Sequence, residues 1–285
     1  MAGTDQTRPV LTGGPTIVLV APQLGENIGA AARAMANFGL SRLRIVAPRD
    51  GWPSDPARAN ASGADWVIDG AQVFDTTEQA IADIGQVYAT TARPRDLVKP
   101  VRGPRAAARG LKARIDGGEE AAILFGGERA GLSNDDIALA DVILTYPVNP
   151  GFASLNLAQA VLVMSYEWMQ ASLTGVDSDP NDAEWAGPAR PGWEEARPEH
   201  AIATKADLFG LFEHLEGELD RAGFLKPPEK RPNMIRNLRN LWHRAQLTDQ
   251  DVRTLRGMIV ALTGRKFTPG QTEHPASEAD SETSG

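Results

Sequence analysis

The sequence contains no cysteine, and this absence excludes several classes of site at once. Disulfide frameworks, cysteine-ligated zinc and cysteine nucleophiles all require a thiol. Long apolar runs are also missing, since none approaches the roughly 18 residues that a membrane-spanning helix needs. Residues 1–14 lack the apolar core of a secretory signal. We therefore expect a cytoplasmic protein with no membrane partner.

Histidine is scarce, and its placement argues against metal chemistry. The four histidines lie in the last third of the chain and share no metal-ligand spacing with one another: His200, His214, His243 and His274. We therefore predict no metal site, and a serine–histidine hydrolase is disfavoured in the N-terminal part. The glycine motif of dinucleotide-binding folds does not follow the first predicted strand, and no P-loop motif occurs.

The charge is acidic overall but unevenly distributed. The chain has 285 residues, 42% of them hydrophobic and 23% charged, with a net charge of −8, which is ordinary for a globular protein of one large or two small domains. Lysine and arginine are nevertheless concentrated in residues 93–114 and 226–256, whereas acids accumulate in residues 173–199 and in the C-terminal tail. These two basic segments predict contact with a polyanion; the alternative is that they are solvated helix faces.

Strand and helix patterns alternate over most of the chain. Short β-branched or apolar runs predict strands at 16–20, 43–47, 66–68, 86–90, 121–125 and 142–145, with helices between them. This alternation predicts an α/β domain with a mostly parallel sheet at residues 15–172. Around it we predict a disordered N-terminus (1–14), an acidic proline-rich linker (173–200), a small helical domain (201–265) and a disordered tail (266–285). Within the helical domain, helices are expected at 201–222, 232–244 and 248–264.

Four polar segments follow predicted strands, at the sheet edge where ligands usually bind. They span residues 25–33, 90–95, 125–133 and 149–160. Asn27 is expected to cap the first helix, and the pair Gly126–Gly127 is expected to let a ligand approach the backbone. Ser154 is expected to cap the last helix of the domain, which leaves Asn156 unexplained. A plain capped helix is the alternative interpretation of this fourth segment.

Three of these segments carry the motifs of a known family. Asn27 to Arg33 has the form N-x-G-x-x-x-R, residues 125–132 read Phe-Gly-Gly-Glu-Arg-Ala-Gly-Leu, and residues 154–158 read Ser-Leu-Asn-Leu-Ala. In order and spacing they resemble the SpoU/TrmH-type RNA ribose 2′-O-methyltransferases of the SPOUT superfamily. The resemblance covers about residues 15–172. The helical extension resembles the TrmJ branch, which methylates tRNA at anticodon-loop position 32.

The resemblance implies a C-terminal trefoil knot in the α/β domain, S-adenosyl-L-methionine as cofactor and a homodimer. The cofactor-binding residues that it implies are Thr91, Ala92, Gly126, Gly127, Glu128, Tyr146, Val148, Ser154 and Leu155. Arg33 takes the family's catalytic position, reaching into the partner protomer's site, with Asn27, Glu128, Ser154 and Asn156 orienting it, the substrate and the loops. Residues expected to contact RNA are Arg33, Arg93, Arg95, Arg129, Arg236, Arg239 and Arg244.

The function that follows is S-adenosylmethionine-dependent 2′-O-methylation of a ribose in tRNA, at cytidine or uridine 32. Two alternatives remain open at this point. One is methylation of ribosomal RNA by an enzyme of the same family, and the other is RNA binding by a paralogue that has lost catalysis. A guanidinium is rarely deprotonated in proteins, so we expect Arg33 to hold the phosphate and the developing alkoxide and not to act as a base.

Overall fold

The computed structural model describes residues 10–92, 99–173 and 201–264. Its centre is a seven-stranded sheet of order β3-β2-β1-β6-β4-β7-β5, in which every strand pair is parallel. The strands are β1 (Thr16–Val20), β2 (Leu43–Val46), β3 (Gln72–Phe74), β4 (Gln86–Thr90), β5 (Val101–Arg102), β6 (Ala121–Gly126) and β7 (Val142–Leu144). All five residues of β1 are buried, as expected of a strand covered on both faces. The predicted α/β architecture is confirmed.

Helices cover both faces of this sheet. They are α1 (Gly25–Asn37), α2 (Asp55–Ala61), α3 (Asp65–Asp69), α4 (Thr77–Ala80), α5 (Pro104–Asp116), α6 (Asn134–Leu139) and α7 (Leu157–Leu173). Side chains of β1 alternate between two cores: Ile17 and Leu19 pack with α1, α2, α3, α5 and α7, whereas Val18 and Val20 pack on the opposite face with α4 and α6. This alternation follows from the two-residue period of a strand.

One predicted strand is wrong. Residues 66–68 belong to helix α3, and the strand that pairs with β2 is β3, at Gln72–Phe74. A run of three apolar residues fits one buried helical turn as well as a strand, so the pattern could not distinguish them. The two-residue strand β5 has no pattern of its own, and the sequence did not predict it.

Residues 201–264 fold as a helical extension with its own core. Its helices are α8 (Lys205–Arg221), α9 (Arg231–Ala245) and α10 (Asp249–Thr263), and a short 3-10 helix precedes α9. Thr204 and Thr248 begin α8 and α10 with capping boxes, each using an aspartate three residues later. The three predicted helices are confirmed, within a few residues at each end.

Several expectations stay predictions. The trefoil knot and the domain boundaries are not tested by the strand order, and most of the predicted linker and tails lies outside the described residues. Within the described ranges, no helix has the length and apolarity to cross a bilayer. The same ranges contain no group of three potential metal-binding side chains.

Candidate active site

A cavity of about 330 Å³ opens where β4, β6 and β7 end. This volume lies at the lower end of the range for small-molecule sites, and the position is the carboxyl edge of a parallel sheet. All nine residues predicted to bind the cofactor line it: Thr91, Ala92, Gly126, Gly127, Glu128, Tyr146, Val148, Ser154 and Leu155. Leu132, Leu157 and Ala160, which were not among the predicted cofactor-binding residues, complete its apolar wall. Two of the three motif segments, residues 125–132 and 154–158, therefore meet at one cavity.

Tyr146 forms a fixed side of this cavity. Its hydroxyl donates a hydrogen bond of 2.8 Å to the carbonyl oxygen of Ala160 on α7. Burial raises the pKa of Tyr146 far above its ordinary value, so the phenol stays neutral and remains a donor. The bond ties the end of β7 to α7 across the cavity.

Glu128 joins the motif loops through its carboxylate. It accepts hydrogen bonds from Asn27 Nδ2 (2.7 Å) and from the backbone N–H groups of Gln23 (2.8 Å) and Leu24 (3.2 Å). Partial burial raises the pKa of Glu128, but the bonds from Asn27 and these backbone groups outweigh it and hold the pKa below its ordinary value. An ionised carboxylate therefore stabilises the start of α1, where backbone donors and the helix dipole favour negative charge.

This arrangement corrects the predicted helix cap. Helix α1 begins at Gly25, and no side chain of its N-cap residue, Leu24, makes a capping hydrogen bond. Asn27 lies inside the first turn, where its amide faces Glu128. The carboxylate that holds this helix start belongs to Glu128, 101 positions away from Asn27, and it bonds the two N–H groups that precede the helix, a contact that no local pattern could reveal.

Asn156 is the cap of α7, the role that had been predicted for Ser154. Its Oδ1 accepts from the backbone N–H groups of Ala158 (2.9 Å) and Gln159 (3.3 Å), so α7 begins at Leu157. Its Nδ2 donates to Asn27 Oδ1 at 3.0 Å. The polar residue that the sequence left unexplained therefore connects α7 to α1, while Ser154 lines the cavity.

Gly126 and Gly127 are required because neighbouring backbone segments pack closely against them, and not only because a ligand approaches. A Cβ atom at Gly126 would lie well inside van der Waals contact of the Gly131 and Leu132 backbone, and one at Gly127 would overlap the Ala21 carbonyl. The turn is closed by a hydrogen bond of 2.9 Å from Gly131 N to Gly127 O. Both glycines still line the cavity, but their small size is explained by this close packing of backbone on backbone.

Comparison with known proteins agrees with this geometry. Residues 14–166 match the model of the SpoU rRNA Methylase family, and residues 206–272 match that of the C-terminal domain of the tRNA methyltransferase TrmJ. A tRNA (cytidine/uridine/adenosine-2′-O-)-methyltransferase TrmJ of Pseudomonas aeruginosa is 35% identical over 243 residues, covering 85% of this chain and 91% of its own. The corresponding cytidine/uridine enzyme of Cronobacter sakazakii is 38% identical over 248 residues, covering 86% of this chain and 94% of its own.

A solved structure extends the match to the fold. The crystal structure of TrmJ from Z. mobilis superposes with a TM-score of 0.75 at 44% identity, covering 88% of this chain and 99% of that one. The chain belongs to the SpoU methylase family, in its TrmJ branch.

Arg33, at the last position of the first SpoU motif, does not line the cavity of its own chain. It is exposed on α1, six residues after Asn27, which places the two side chains about 120° apart around the helix axis. Within the described residues it takes part in no hydrogen bond or ion pair. The structure therefore brings Asn27, Glu128 and Asn156 together and leaves Arg33 apart, available to another molecule.

The arginines predicted to contact RNA fall into distinct environments. Arg129 lines the cavity mouth and is exposed, as is Arg244 at the end of α9. Arg239 instead makes a two-pronged ion pair with Glu216 (2.6 and 2.9 Å), and Arg236 pairs with an exposed aspartate on the neighbouring α6. Arg93 and Arg95 lie outside the described residues.

The first basic segment is also largely engaged within the chain. Lys112 pairs with Asp116, Arg114 pairs with Glu119, and Lys99 is buried. The described part of this segment therefore presents fewer unpaired cations to a polyanion than its composition suggests.

Proposed function

We propose that this protein transfers a methyl group from S-adenosylmethionine to a ribose 2′-hydroxyl of tRNA. The observation that carries the proposal is the hydrogen-bonded chain Glu128–Asn27–Asn156, which joins the three SpoU motifs beside a cavity suited to a small molecule. The names of the relatives support the reaction and the substrate class, since they describe tRNA cytidine/uridine 2′-O-methyltransferases. The position within tRNA, anticodon-loop nucleotide 32, rests on the resemblance to the TrmJ branch alone.

The cavity has the chemistry that S-adenosylmethionine requires. Val148, Leu132 and the Tyr146 ring offer apolar surface to adenine. The Thr90 hydroxyl donates to the Leu124 carbonyl oxygen, so its own oxygen can still accept a hydrogen bond from a polar atom of the cofactor. Arg129, at the mouth, supplies a cation for a carboxylate or a phosphate. When bound there, the cofactor supplies an electrophilic methyl group on its sulfonium sulfur. A nucleophile can attack this methyl carbon without metal or redox chemistry.

Arg33 is the residue we assign to the reacting ribose. A guanidinium is rarely deprotonated in proteins, so we assign Arg33 no role as a base, and the hydroxyl proton passes to solvent water. Arg33 can hold the phosphate next to the target ribose and stabilise the negative charge that develops on the attacking oxygen. Asn27, Glu128 and Asn156 then act by fixing α1, from which Arg33 projects, and Ser154 by shaping the cavity.

The separation of Arg33 from its own cavity favours a homodimer with shared sites. Leu162, Val163 and Tyr166 expose apolar surface on one side of α7, and Tyr166 packs edge-on against Phe38 at the end of α1. A second copy covering this surface would bring its own Arg33 toward the neighbouring cavity. We therefore propose that each active site takes its cofactor cavity from one protomer and Arg33 from the other.

Complementation between two inactive variants tests the shared site. Arg33→Ala keeps the cavity, and Ser154→Trp fills it while keeping Arg33. Mixed dimers of the two should regain methyl transfer, because one of their two sites combines an intact cavity with an intact Arg33. If the mixture stays as inactive as each variant alone, the arginine acts within its own protomer and the shared-site proposal is wrong.

The function itself is tested by product mapping. The protein is incubated with methyl-labelled S-adenosylmethionine and either bulk tRNA or ribosomal RNA, and the modified ribose is located in the labelled RNA. Label at nucleotide 32 of tRNA is the expected result. Label only in ribosomal RNA would establish the alternative substrate, and binding of tRNA without label would establish a non-catalytic RNA-binding protein.

The role of Arg33 has its own measurement. Loss of one charge-stabilising donor typically lowers kcat by about 10²–10³-fold, so Arg33→Ala should lose at least about 10²-fold while still binding tRNA. Arg33→Lys, which keeps the charge but not the planar fork, should be intermediate. An Arg33→Ala variant that methylates at the wild-type rate would contradict the assignment.

A further inference from the structure

A buried ionic cluster lies at the contact between the α/β domain and the helical extension. Asp141, between α6 and β7, has its Oδ1 atom 2.6 Å from Lys205 Nζ and 3.3 Å from His243 Nδ1. All three side chains are nearly or fully buried: 9% of Asp141, 0% of Lys205 and 3% of His243 is exposed. Lys205 begins α8 and His243 lies in α9, so one carboxylate of the α/β domain holds two helices of the extension.

The same carboxylate is fixed to the sheet. Its second oxygen, Oδ2, accepts a hydrogen bond of 2.8 Å from the backbone N–H of Val87 on β4. Burial raises the pKa of Asp141, but the Lys205 and His243 side chains outweigh it and hold the pKa well below its ordinary value. An ionised Asp141 therefore ties the interior of the sheet to the extension.

Backbone bonds across the contact depend on the same geometry. The first N–H groups of α8, at Lys205 and Ala206, donate to the carbonyl oxygens of Ile84 and Ala82, each at 2.9 Å. Helix-terminal N–H groups lack partners within their own helix, so these bonds satisfy them only while the extension is docked. Phe209, on the next turn, packs against the cores of both domains.

Removing one partner of a buried pair leaves an uncompensated charge. Loss of the Asp141 charge would affect Lys205 most, because a second buried lysine, Lys99, lies close by and repels it. Lys99 Nζ donates to the carbonyl oxygens of Ala138 (2.9 Å) and Ala140. By contrast, the Arg236–Asp135 pair at the same contact is superficial, since the Asp135 side chain is 75% exposed. Removing one member of a buried ion pair strongly destabilises a protein, whereas an exposed ion pair contributes little to its stability.

We propose that Asp141 is a positioning residue that locks the helical extension to the α/β domain, and that this lock sets the orientation in which the extension presents tRNA to the cavity. The lock itself follows from the contacts above. Its effect on tRNA rests on the proposed function. Asp141 lies at the start of β7, at the opposite end of the strand from the cavity, and so touches neither cofactor nor substrate.

The test uses the full-length protein with Asp141→Asn, which keeps an acceptor for Val87 N–H but removes the charge. Two measurements separate docking from substrate use: hydrogen exchange of the Lys205 and Ala206 amides, and the KM for tRNA beside the dissociation constant for S-adenosylmethionine. The variant should lose exchange protection at both amides on the order of a hundredfold. Its KM for tRNA should rise at least about tenfold by the same loss of docking, with cofactor binding unchanged.

Matched variants keep the proposal falsifiable. Asp141→Asn combined with Lys205→Met removes both charges, so protection and KM should return close to the wild-type values. Asp135→Asn, which breaks only the exposed pair, should leave the exchange protection of both amides unchanged. Should Asp141→Asn fail to fold, Lys205→Met alone carries the same expectations while leaving the α/β domain unaltered.

Two outcomes would overturn the lock. Unchanged amide protection in both single variants would mean that the cluster does not hold the extension. Lost protection with an unchanged KM would mean that docking does not orient tRNA. A wild-type protein that methylates no RNA would instead refute the proposed function, and the exchange measurement would still decide the docking.

Discussion

Replacing Glu128 with glutamine should loosen the start of α1 and slow methyl transfer. The carboxylate accepts three hydrogen bonds, from Asn27 Nδ2 and from the backbone N–H groups of Gln23 and Leu24. Glutamine keeps one oxygen acceptor but turns a donor toward these N–H groups. It also removes the negative charge from the positive end of the α1 dipole.

The expected loss follows from these bonds. A hydrogen bond to a charged group contributes about 1.5–3 kcal/mol and a neutral one about 0.5–1.5 kcal/mol. Because Glu128 is only half-buried, the lower values apply, and the free energy of unfolding should fall by about 1–2 kcal/mol. Urea denaturation followed by tryptophan fluorescence measures this loss, and labelled methyl transfer to tRNA measures activity.

The carboxylate of the α6 capping box provides the control. Asp136 accepts from Ser133 N (2.9 Å), Ser133 Oγ (2.6 Å) and Thr77 Oγ1 (2.6 Å), and it does not line the cavity. Asp136→Asn should lose a similar amount of stability and keep its methylation rate. If Glu128→Gln keeps wild-type activity, or if Asp136→Asn slows the reaction equally, Glu128 does not orient the site.

The pH dependence of stability provides a second test of Glu128. The folded pKa of Glu128 lies below its ordinary value of 4.5, so its contribution is fully present above that pH. It is lost as the pH falls through the folded pKa. The Glu128→Gln variant should therefore lose less stability than the wild type when the pH is lowered below about 4.5.

Three further substitutions test other parts of the structure. Gly29→Ala would place a Cβ against a carbonyl oxygen of α2 and should cost about 1–3 kcal/mol in thermal or urea unfolding. Gly217→Ala, inside α8 with nothing within 4 Å of the added Cβ, should not destabilise the protein. Burial and, to a lesser extent, the neighbouring Lys205 lower the pKa of His243 to about 4, although the Asp141 carboxylate raises it. The free energy of unfolding therefore decreases as the pH falls from 6.5 toward 4. His243→Gln should remove about 2 kcal/mol of that decrease between pH 7 and pH 5. Arg244→Ala should weaken tRNA binding and reduce its salt slope by about 0.7–0.9, whereas Arg239→Ala should lower the stability of the extension instead.

The fold could be predicted because its elements have local patterns. The fully buried β1 and the capping boxes of α8 and α10 are readable from neighbouring residues. The errors fall where the pattern is too short, as at residues 66–68, or where the partner is distant. Asn27 looks like a local cap, but its function is set by Glu128, which the fold brings to it.

The site was predicted through motifs rather than through physical chemistry alone. Composition and spacing could mark Ser154 as a cap, but only the three-dimensional contacts assign the capping bonds to Asn156. The buried cluster at the extension had no signal in the sequence. Asp141 and Lys205 are 64 residues apart, and neither lies in a motif. A lone aspartate at the start of a strand gives no indication that it will be buried with a charge.

Within the predicted catalytic set, the contacts separate three residues that bond one another or a helix start from Arg33, which does neither. Glu128, Asn27 and Asn156 use their hydrogen-bonding groups on one another and on helix ends, so little of their chemistry is left for the RNA. Arg33 has no such partner among the described residues, yet it projects from the helix that they hold. A helix is stiff over two turns, so fixing Asn27 also fixes Arg33, six residues later, with a precision that a loop could not provide. Under the proposed shared site, an arginine that reaches the cavity of another protomer would need such a rigid support, and this gives a physical reason for the contact between the three motifs.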